Sequence, residues 1–301
     1  MQLWLIILLV IIVLVIVALA RFLYFRMMFR PTYDHTWDPV YPHKDLRLSS
    51  RTGNIIKKRP GKDSPSVHFW HFDNFPRGKT ILFCHGNYGN ITQREYVIRI
   101  CHILKVNLLV FDYRGYGDST GIPTINGIKE DGMKMYKYLR GLGIPPEKII
   151  IWGESLGGIV ASWLSANVEC FRLVLFSTFS TLSETIDYSD LKPWIRIPLS
   201  GLLLNLLGDI SNKQHVKRAK CPVIVVHSVV DNLIPYHCAI ESMMAAKHGC
   251  IIPIKGRHDK PEMTKAQMKE LFWRMEVKMG GKLVKKAVDV LHQSLRKLEG
   301  V

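Results

Sequence analysis

The chain has 301 residues, enough for one large α/β domain or two small ones with a sizeable core. Hydrophobic residues make up 48% of it and charged residues 22%, a balance that excludes extensive disorder. The net charge of +16 favours anionic partners. The basic residues are scattered and match no nucleic-acid-binding motif, so lipid headgroups are the predicted partner and nucleic acid is not. The six cysteines are dispersed, mostly in apolar runs, which predicts buried thiols rather than a disulfide framework or a metal site.

The first predicted element is an apolar helix at the N-terminus. Residues 3–20 are 18 consecutive residues without a charged or polar side chain, and as a helix they extend about 27 Å, close to the hydrocarbon thickness of a bilayer. We therefore predict a transmembrane anchor over residues 1–22. Arg21, Arg26 and Arg30 follow it, so the positive-inside tendency places the rest of the chain in the cytoplasm. A cleaved signal peptide lacks support because no basic residue precedes the run, and a buried core helix is rarely apolar on every face.

Residues 23–65 are interpreted as a juxtamembrane stalk and the approach to the fold, with irregular or edge-strand structure. Between residues 66 and 280, short apolar runs alternate with helix-length segments. The runs lie at 67–72, 80–84, 107–113, 149–152, 173–176, 222–227 and 250–254, and the helical segments at 93–104, 126–142, 155–167 and 236–247. Buried runs that alternate with amphipathic helices predict a mostly parallel central sheet covered by helices on both faces.

Two segments depart from this alternation. Residues 178–213 are strongly apolar near their end, and we interpret them either as a cap or lipid-contacting surface, or as a helix packed on the sheet after a long loop. Residues 281–301 predict a basic amphipathic helix, because their apolar residues recur on one helical face. That face either packs on the domain, which the pattern favours, or lies on a membrane surface.

The pattern with the clearest chemical meaning is Gly153-x-Ser155-x-Gly157, which follows an apolar run and precedes a helical segment. A serine on a sharp strand-to-helix turn projects its hydroxyl away from the backbone, and the glycines allow strand and helix to approach closely. The free N–H groups at the helix N-terminus point to where negative charge develops. We therefore interpret Ser155 as a nucleophile and the N–H of Leu156 as one donor of an oxyanion hole.

Asp231 and His258 are the predicted partners of Ser155. Each follows its own predicted strand, and functional side chains collect at the carboxyl ends of parallel strands. In this chain order the serine is the nucleophile, the aspartate the orienting acid and the histidine the general base. Either residue alone is more typical of a helix cap or an exposed loop, so the prediction depends on all three together. Asp112 is a weaker candidate for the acid.

The sequence also predicts a second oxyanion donor in the loop at residues 85–90, which contains two glycines. A backbone N–H of Asn87 or Tyr88 is the candidate, and the sequence does not choose between them. The histidine that begins the loop is interpreted as its brace. The glycine-rich turn that follows residue 111 is interpreted as structural, with an ion pair between Arg114 and Asp118.

Together these motifs resemble those of the α/β-hydrolase superfamily. The resemblance rests on His85-Gly86-Asn87, Asp112-Tyr113-Arg114-Gly115-Tyr116-Gly117, Gly153-Glu154-Ser155-Leu156-Gly157, Asp231 with Ile234-Pro235, and Gly256 with His258-Asp259. It covers about residues 65–275. More narrowly, the chain is similar to the single-pass, membrane-anchored branch that includes lysophosphatidylserine lipases and protein depalmitoylases. It departs from the family at His227-Ser228, where members often carry His-Gly, and beyond Gly281.

The resemblance implies a serine hydrolase that forms an acyl-enzyme. Combined with the anchor, it predicts a membrane-anchored enzyme that cleaves carboxylic ester or thioester bonds in acyl-chain substrates such as lysophospholipids, monoacylglycerols or S-acylated proteins. No cofactor or metal is expected, and nothing in the sequence indicates an oligomeric state. The alternative is a catalytically silent, membrane-anchored binding or scaffold protein with the same fold.

Overall fold

The computed structural model describes residues 2–49, 54–56, 66–181, 210–277 and 280–297. Its strands, in chain order, are β1 (Arg30–Pro31), β2 (Lys44–Ser49), β3 (Ile55–Ile56), β4 (Ser66–Phe72), β5 (Thr80–Cys84), β6 (Tyr88–Gly89), β7 (Asn107–Phe111), β8 (Ile149–Glu154), β9 (Arg172–Phe176), β10 (Val223–Ser228), β11 (Gly249–Arg257) and β12 (Lys260–Glu262). Ten of them form one sheet in the order β12-β11-β10-β9-β8-β5-β7-β4-β2-β3, and β1 pairs separately with β6.

The centre of the large sheet is parallel. Neighbouring strands from β7 through β5, β8, β9 and β10 to β11 run in the same direction. Antiparallel strands complete the sheet at both edges, with β4, β2 and β3 on one side and β12 on the other. The prediction of a mostly parallel central sheet is confirmed. The parallel strands match the predicted runs because strands buried on both faces give continuous apolar sequence.

The helices, in chain order, are α1 (Gln2–Met28), α2 (Glu95–Ile103), α3 (Ile125–Gly141), α4 (Gly157–Asn167), α5 (Asn212–Lys217), α6 (Tyr236–Ala245), α7 (Lys265–Arg274) and α8 (Gly281–Lys297). Alternate residues of a strand point to opposite faces of the sheet. In β5, Leu82 and Cys84 pack in one apolar cluster with α3, α4, α5 and α6, whereas Ile81 and Phe83 pack in another with α2, α7 and α8. Helices therefore cover both faces, as predicted.

Helix α1 extends beyond residue 22, the predicted end of the anchor, to Met28. Its apolar side chains from Trp4 to Ile16 are exposed, whereas Phe25 and Met28 pack against the core of the domain. Within the described ranges, no helix qualifies by length and apolar character as a membrane span. The anchor and its orientation remain predictions.

Residues 29–36, which we call the N-terminal strap, connect α1 to the domain. Phe29 is buried, β1 pairs in parallel with β6, and the Thr36 N–H donates a hydrogen bond of 3.1 Å to Thr92 Oγ1. Farther along, β2 pairs with β4 and joins the large sheet. Where the structure describes it, the segment that we interpreted as a stalk therefore lies against the domain.

Residues 182–209, most of the predicted cap segment, lie outside the described part of the chain. The two ends of this segment meet in an antiparallel bridge between Thr181 and Ser211. The Asn212 side chain fixes this junction by donating to the Phe179 carbonyl at 2.8 Å. The described residues on either side of this segment therefore lie next to each other.

Helix α8 packs against the domain through the face that the sequence predicted to be apolar. Val284, Ala287, Val288 and Leu291 are buried in the cluster that also contains residues of α2. Lysines 282, 285 and 286 are exposed on the other side. Of the two interpretations of this helix, the structure shows the packed one.

Replacing Leu291 with alanine tests that packing. Because the side chain is 3% exposed, Leu291→Ala is expected to lower the free energy of unfolding by about 2–4 kcal/mol. Gln293→Ala, on the exposed face of the same helix, is expected to change it by less than about 0.5 kcal/mol. Denaturant titration of the full-length protein in detergent, followed by circular dichroism, measures both. Equal effects of the two variants would contradict the packed arrangement.

Candidate active site

Ser155 occupies a sharp turn between β8 and α4. Its φ angle is +50°, in the left-handed region that only glycine adopts without cost. Three hydrogen bonds hold it there: its N–H donates to the Phe176 carbonyl at 2.9 Å, and its own carbonyl accepts from the Gly158 N–H at 3.0 Å and the Thr178 hydroxyl at 2.7 Å. The strained serine is therefore fixed by the backbone around it.

The glycines on either side of Ser155 are required by close packing. A Cβ atom on Gly157 would lie 1.9 Å from the Cys84 carbonyl oxygen at the end of β5. A Cβ atom on Gly153 would lie 2.5 Å from the Gly157 carbonyl oxygen. Strand β8, strand β5 and helix α4 approach one another so closely that no side chain fits at either position.

The structure brings the three predicted residues Ser155, His258 and Asp231 together. His258 lies in the turn between β11 and β12, and Asp231 lies just beyond β10. His258 Nε2 is 3.0 Å from Ser155 Oγ, and His258 Nδ1 is 2.9 Å from Asp231 Oδ2. The His258 N–H also donates to Asn232 Oδ1 at 3.1 Å, which joins the two loops. Hydroxyl, imidazole and carboxylate thus form one hydrogen-bonded chain.

The environment of Asp231 keeps its carboxylate charged although the side chain is fully buried. Burial by itself raises the pKa of Asp231. The hydrogen bond and charge of His258, together with the backbone N–H groups of Ile234 and Leu233, outweigh burial and leave the pKa below its ordinary value. Those N–H groups donate to Oδ1 at 2.8 and 2.9 Å. One carboxylate oxygen is therefore occupied by the backbone, and the other is available to His258.

The His227-Ser228 pair, where the chain departs from the family, supports the two loops. The buried His227 ring donates through Nε2 to the Ile234 carbonyl at 2.8 Å, and burial lowers its pKa. Because His227 is neutral, it does not compete with His258 for the negative charge of Asp231. Ser228 Oγ donates to the Gly256 carbonyl at 2.5 Å and so ties the end of β10 to the end of β11.

The 85–90 loop runs beside Ser155, since a Cβ atom on Gly86 would lie 3.5 Å from Ser155 Cβ. The Gly86 carbonyl accepts from His85 Nδ1 at 2.7 Å, and the Asn87 carbonyl accepts from the Tyr116 hydroxyl at 2.8 Å. In a trans peptide the carbonyl and the next N–H point in opposite directions. Fixing these two carbonyls therefore fixes the directions of the two N–H groups that the sequence proposed as donors.

His85 acts as a neutral brace for this loop. The ring is completely buried, and burial, with a smaller contribution from the Arg94 charge, lowers its pKa to about 3. Its backbone carbonyl accepts from the Tyr113 hydroxyl at 2.8 Å. The Arg94 guanidinium in turn hydrogen-bonds the Tyr88 carbonyl. Neither contact involves Ser155, His258 or Asp231, so the loop has its own support.

Asp112, the weaker candidate for the acid, contacts a different set of residues. Its Oδ1 accepts from the Ile91 N–H at 2.9 Å, and its Oδ2 lies 3.5 Å from Nδ1 of the buried His68. His68 Nε2 lies 2.8 Å from Asp45 Oδ1. Burial lowers the pKa of His68, but the hydrogen bonds to Asp112 and Asp45 prevail and raise it to about 9. Asp112 is therefore part of a buried ion pair beneath the loop that follows β6.

The predicted ion pair between Arg114 and Asp118 is wrong. Arg114 binds Asp131, with its Nη2 2.7 Å from Oδ1, and also Glu130 at 2.9 Å. Asp118 pairs instead with Arg47 from β2. Both partners come from distant parts of the chain, so spacing within the turn did not indicate them.

Several residues that hold the site were not identified from the sequence. The hydroxyl of the partly buried Tyr96 donates to the carboxylate of Glu154, the residue before Ser155, and Thr178 fixes the Ser155 carbonyl. One pair of supporting residues does have a sequence signal. Asn90 and Gln93 form a capping box at the start of a short 3₁₀ helix, and the Asn-x-x-Gln pattern before a helical segment is its signature.

Comparison with known proteins gives a consistent result. The chain matches the family model described as alpha/beta hydrolase fold over residues 79–235. An uncharacterised protein of Mycobacterium tuberculosis is 32% identical over 210 residues, which cover 67% of this chain and 71% of that protein. A lysophosphatidylserine lipase of Danio rerio is 29% identical over 183 residues, 56% of this chain and 47% of that protein. The solved structure of a Pyrococcus furiosus esterase is similar in fold, with a TM-score of 0.59 at 20% identity, over 87% of this chain and 98% of its own.

The raised pKa of His68 predicts how stability depends on pH. Its ordinary pKa is 6.5 and its folded-state pKa is about 9, so the charged ring stabilises the fold fully below pH 6.5 and loses this contribution as the pH rises through 9. The stability difference between wild type and His68→Gln is therefore expected to shrink from pH 6.5 to 9. His71, on the same strand as His68, predicts the opposite pH dependence, because burial lowers its pKa to about 4. The advantage of wild type over His71→Gln is expected to shrink in the opposite direction, as the pH falls from 6.5 to 4.

Denaturant titrations of the two variants across this pH range measure both trends. A His68→Gln difference that stays constant up to pH 9 would contradict the buried ion pair with Asp112.

Proposed function

The chain belongs to the α/β-hydrolase family, and we propose that it is a membrane-anchored serine hydrolase that cleaves ester or thioester bonds of acyl-chain substrates. The observation that carries this proposal is the hydrogen-bonded chain from Ser155 Oγ through His258 to Asp231, with distances of 3.0 and 2.9 Å. Each distance lies in the range required for proton transfer or orientation.

In the proposed mechanism Ser155 Oγ attacks the substrate carbonyl while His258 Nε2 accepts the hydroxyl proton. Asp231 holds the Nδ1–H tautomer of the ring and stabilises the imidazolium that forms. The tetrahedral intermediate collapses when His258 gives its proton to the leaving alcohol or thiol, which leaves an acyl group on Ser155. Water then attacks the acyl-enzyme by the same route and releases the carboxylic acid.

Backbone N–H groups stabilise the oxyanion in this proposal. The Leu156 N–H lies at the N-terminus of α4, directly after the nucleophile. The second donor comes from Asn87 or Tyr88, whose peptide planes are held by the His85 ring and by the Tyr116 hydroxyl. Donors fixed before the reaction need no reorganisation when charge develops, and each contributes roughly 100–1,000-fold in kcat.

A substrate presented at a bilayer is supported by the position of α1 relative to the site. Helix α1 ends at Met28, two residues before Arg30. The Arg30 N–H donates a hydrogen bond of 3.0 Å to the Asn87 carbonyl in the 85–90 loop. Two residues of chain extend at most about 7 Å. If residues 1–22 are the anchor, α1 continues for six more residues, about 9 Å, so the 85–90 loop lies within about 16 Å of the membrane surface along the chain.

Exposed apolar residues near the triad and the overall charge support the same substrate class. Val229, Val230 and Leu233 are 46%, 61% and 56% exposed in the loop that carries Asp231. The net charge of +16 favours anionic headgroups, and one relative is a lysophosphatidylserine lipase. We therefore propose lysophospholipids, monoacylglycerols or S-acylated proteins as the substrates.

Substitution of Ser155 tests the proposed catalytic role. Ser155→Ala is expected to lower kcat for a short-chain ester by about six orders of magnitude and to abolish covalent labelling by a fluorophosphonate. Ser177 supplies the matched control, because it follows the neighbouring strand β9 and also has a left-handed backbone, with φ +45°. Ser177→Ala is expected to keep both activity and labelling.

Wild-type protein that is folded but neither labelled nor active would favour the alternative, a catalytically silent, membrane-anchored scaffold. Esterase activity of Ser155→Ala near the wild-type value would contradict the assigned nucleophile.

Substrate comparison tests the second part of the proposal. We expect the wild-type protein in vesicles that contain anionic lipid to hydrolyse a lysophospholipid, a monoacylglycerol or an S-acylated peptide faster than a short soluble ester. Release of free fatty acid from each substrate, measured by mass spectrometry, gives the rates. Turnover of the soluble ester alone would contradict an acyl-chain substrate and leave the hydrolase assignment intact.

A further inference from the structure

We propose that the N-terminal strap positions the 85–90 loop for oxyanion binding, so that turnover depends on the backbone contacts of residues 29–36 as well as on the triad. This inference rests on the proposed function, because it concerns the oxyanion hole of the same reaction. It adds a requirement beyond Ser155, His258 and Asp231. The segment that joins α1 to the domain helps to orient the backbone N–H groups of Asn87 and Tyr88.

The strap contacts the loop through its backbone. Strand β1 pairs in parallel with β6, in the register Arg30 with Tyr88 and Pro31 with Gly89. The Arg30 N–H donates to the Asn87 carbonyl at 3.0 Å. The same oxygen also accepts from the Tyr116 hydroxyl at 2.8 Å. One donor from the strap and one from the domain therefore fix this carbonyl.

These bonds determine where the next N–H points. The Asn87 carbonyl and the Tyr88 N–H belong to one planar trans peptide and point in opposite directions. Because the carbonyl faces the strap, the Tyr88 N–H faces away from it. The preceding peptide is fixed at the Gly86 carbonyl by His85 Nδ1, at 2.7 Å. Asn87 is therefore held on both sides, and loss of the strap bond removes one of the two hydrogen bonds that orient the peptide between Asn87 and Tyr88.

Asn90 clamps the strap to the end of the loop. Its Nδ2 donates to the carbonyls of Asp34 and Thr32 at 2.9 and 3.2 Å, and its Oδ1 accepts from the Thr92 N–H at 2.8 Å. The side chain is 1% exposed. The Thr32 carbonyl also accepts from the Gly117 N–H at 3.1 Å. The strap is therefore bound between the 85–90 loop and the turn that follows β7.

The strap is also packed at its other end. Phe29 is 5% exposed, and its ring lies 5.2 Å from that of Phe25 in the last turns of α1. Helix end, strap and loop thus form one packed unit. Asn90 and the strap backbone act as positioning groups: they touch neither substrate nor nucleophile and act through Asn87 and Tyr88.

Arg30 offers a matched pair of variants for testing the strap. Arg30→Pro removes the N–H that bonds Asn87, whereas Arg30→Ala keeps that N–H and removes only side-chain atoms beyond Cβ. The residue is exposed, and proline is compatible with a short edge strand. With a soluble short-chain ester, kcat of Arg30→Pro is expected to be about 10–100-fold below that of Arg30→Ala, with KM within about threefold, because an oxyanion contact acts mainly in the transition state. The rate of fluorophosphonate labelling is expected to fall in parallel.

Asn90→Ala provides a second, independent variant, and Asn107→Ala is its control. Asn107 is also a buried asparagine, and it bonds the Phe75 backbone at 2.8 and 2.9 Å at the first residue of β7, whereas the candidate site lies beyond the carboxyl ends of the parallel strands. Both variants are expected to lose stability. At a temperature where circular dichroism shows both folded, only Asn90→Ala is expected to lose kcat.

The outcomes separate this inference from the proposed function. If wild type is labelled, Ser155→Ala is inactive, and both Arg30→Pro and Asn90→Ala keep the wild-type kcat, the strap has no positioning role and the hydrolase proposal stands. If folded wild type is neither labelled nor active, the proposed function fails and this inference fails with it. An equal loss of kcat in Asn107→Ala would show a general effect of destabilisation and overturn the inference.

Discussion

The close approach of β8, β5 and α4 is the constraint on which the candidate site depends. It leaves no space for a Cβ atom at Gly153 or Gly157, and it holds Ser155 at φ +50° against the ordinary preference of its backbone. The free energy that this conformation costs, about 1–2 kcal/mol, is offset by the hydrogen bonds around the turn. If strand and helix were farther apart, Ser155 would relax, and its hydroxyl would leave the position from which His258 reaches it.

Two buried aspartates on the same sheet have different roles, and their partners explain the difference. Asp231 accepts two backbone hydrogen bonds on one oxygen and the His258 ring on the other. Asp112 pairs with His68 and accepts the Ile91 N–H. The first orients the His258 ring, whereas the second supports the chain that follows the 85–90 loop. The two carboxylates thus hold different segments around the site.

Much of the fold was predictable because parallel strands covered on both faces appear as continuous apolar runs. The positions of Ser155, Asp231 and His258 were predictable from their order and from the strands that precede them. Contacts between polar side chains and distant backbone were not. The strap pairs with a loop more than fifty residues away, and Arg114 binds α3 rather than its neighbour in the turn. Neither leaves a periodic signal. Helix α7 was missed although Thr264 and Gln267 form a capping box at its start.

The burial of Phe29 decides how a shortened, water-soluble form of this protein is best designed. Hydropathy alone suggests deleting all residues up to the end of the apolar run at residue 20. If residues 23–65 were a stalk without contacts, a longer deletion that ended within them would do no harm. The packing of Phe25, Met28 and Phe29 against the core sets a firm limit to such cuts. Deleting the strap would expose apolar residues of the core and remove the strand that pairs with the 85–90 loop. An inactive or aggregating fragment of that kind would therefore say nothing about the chemistry of the intact chain.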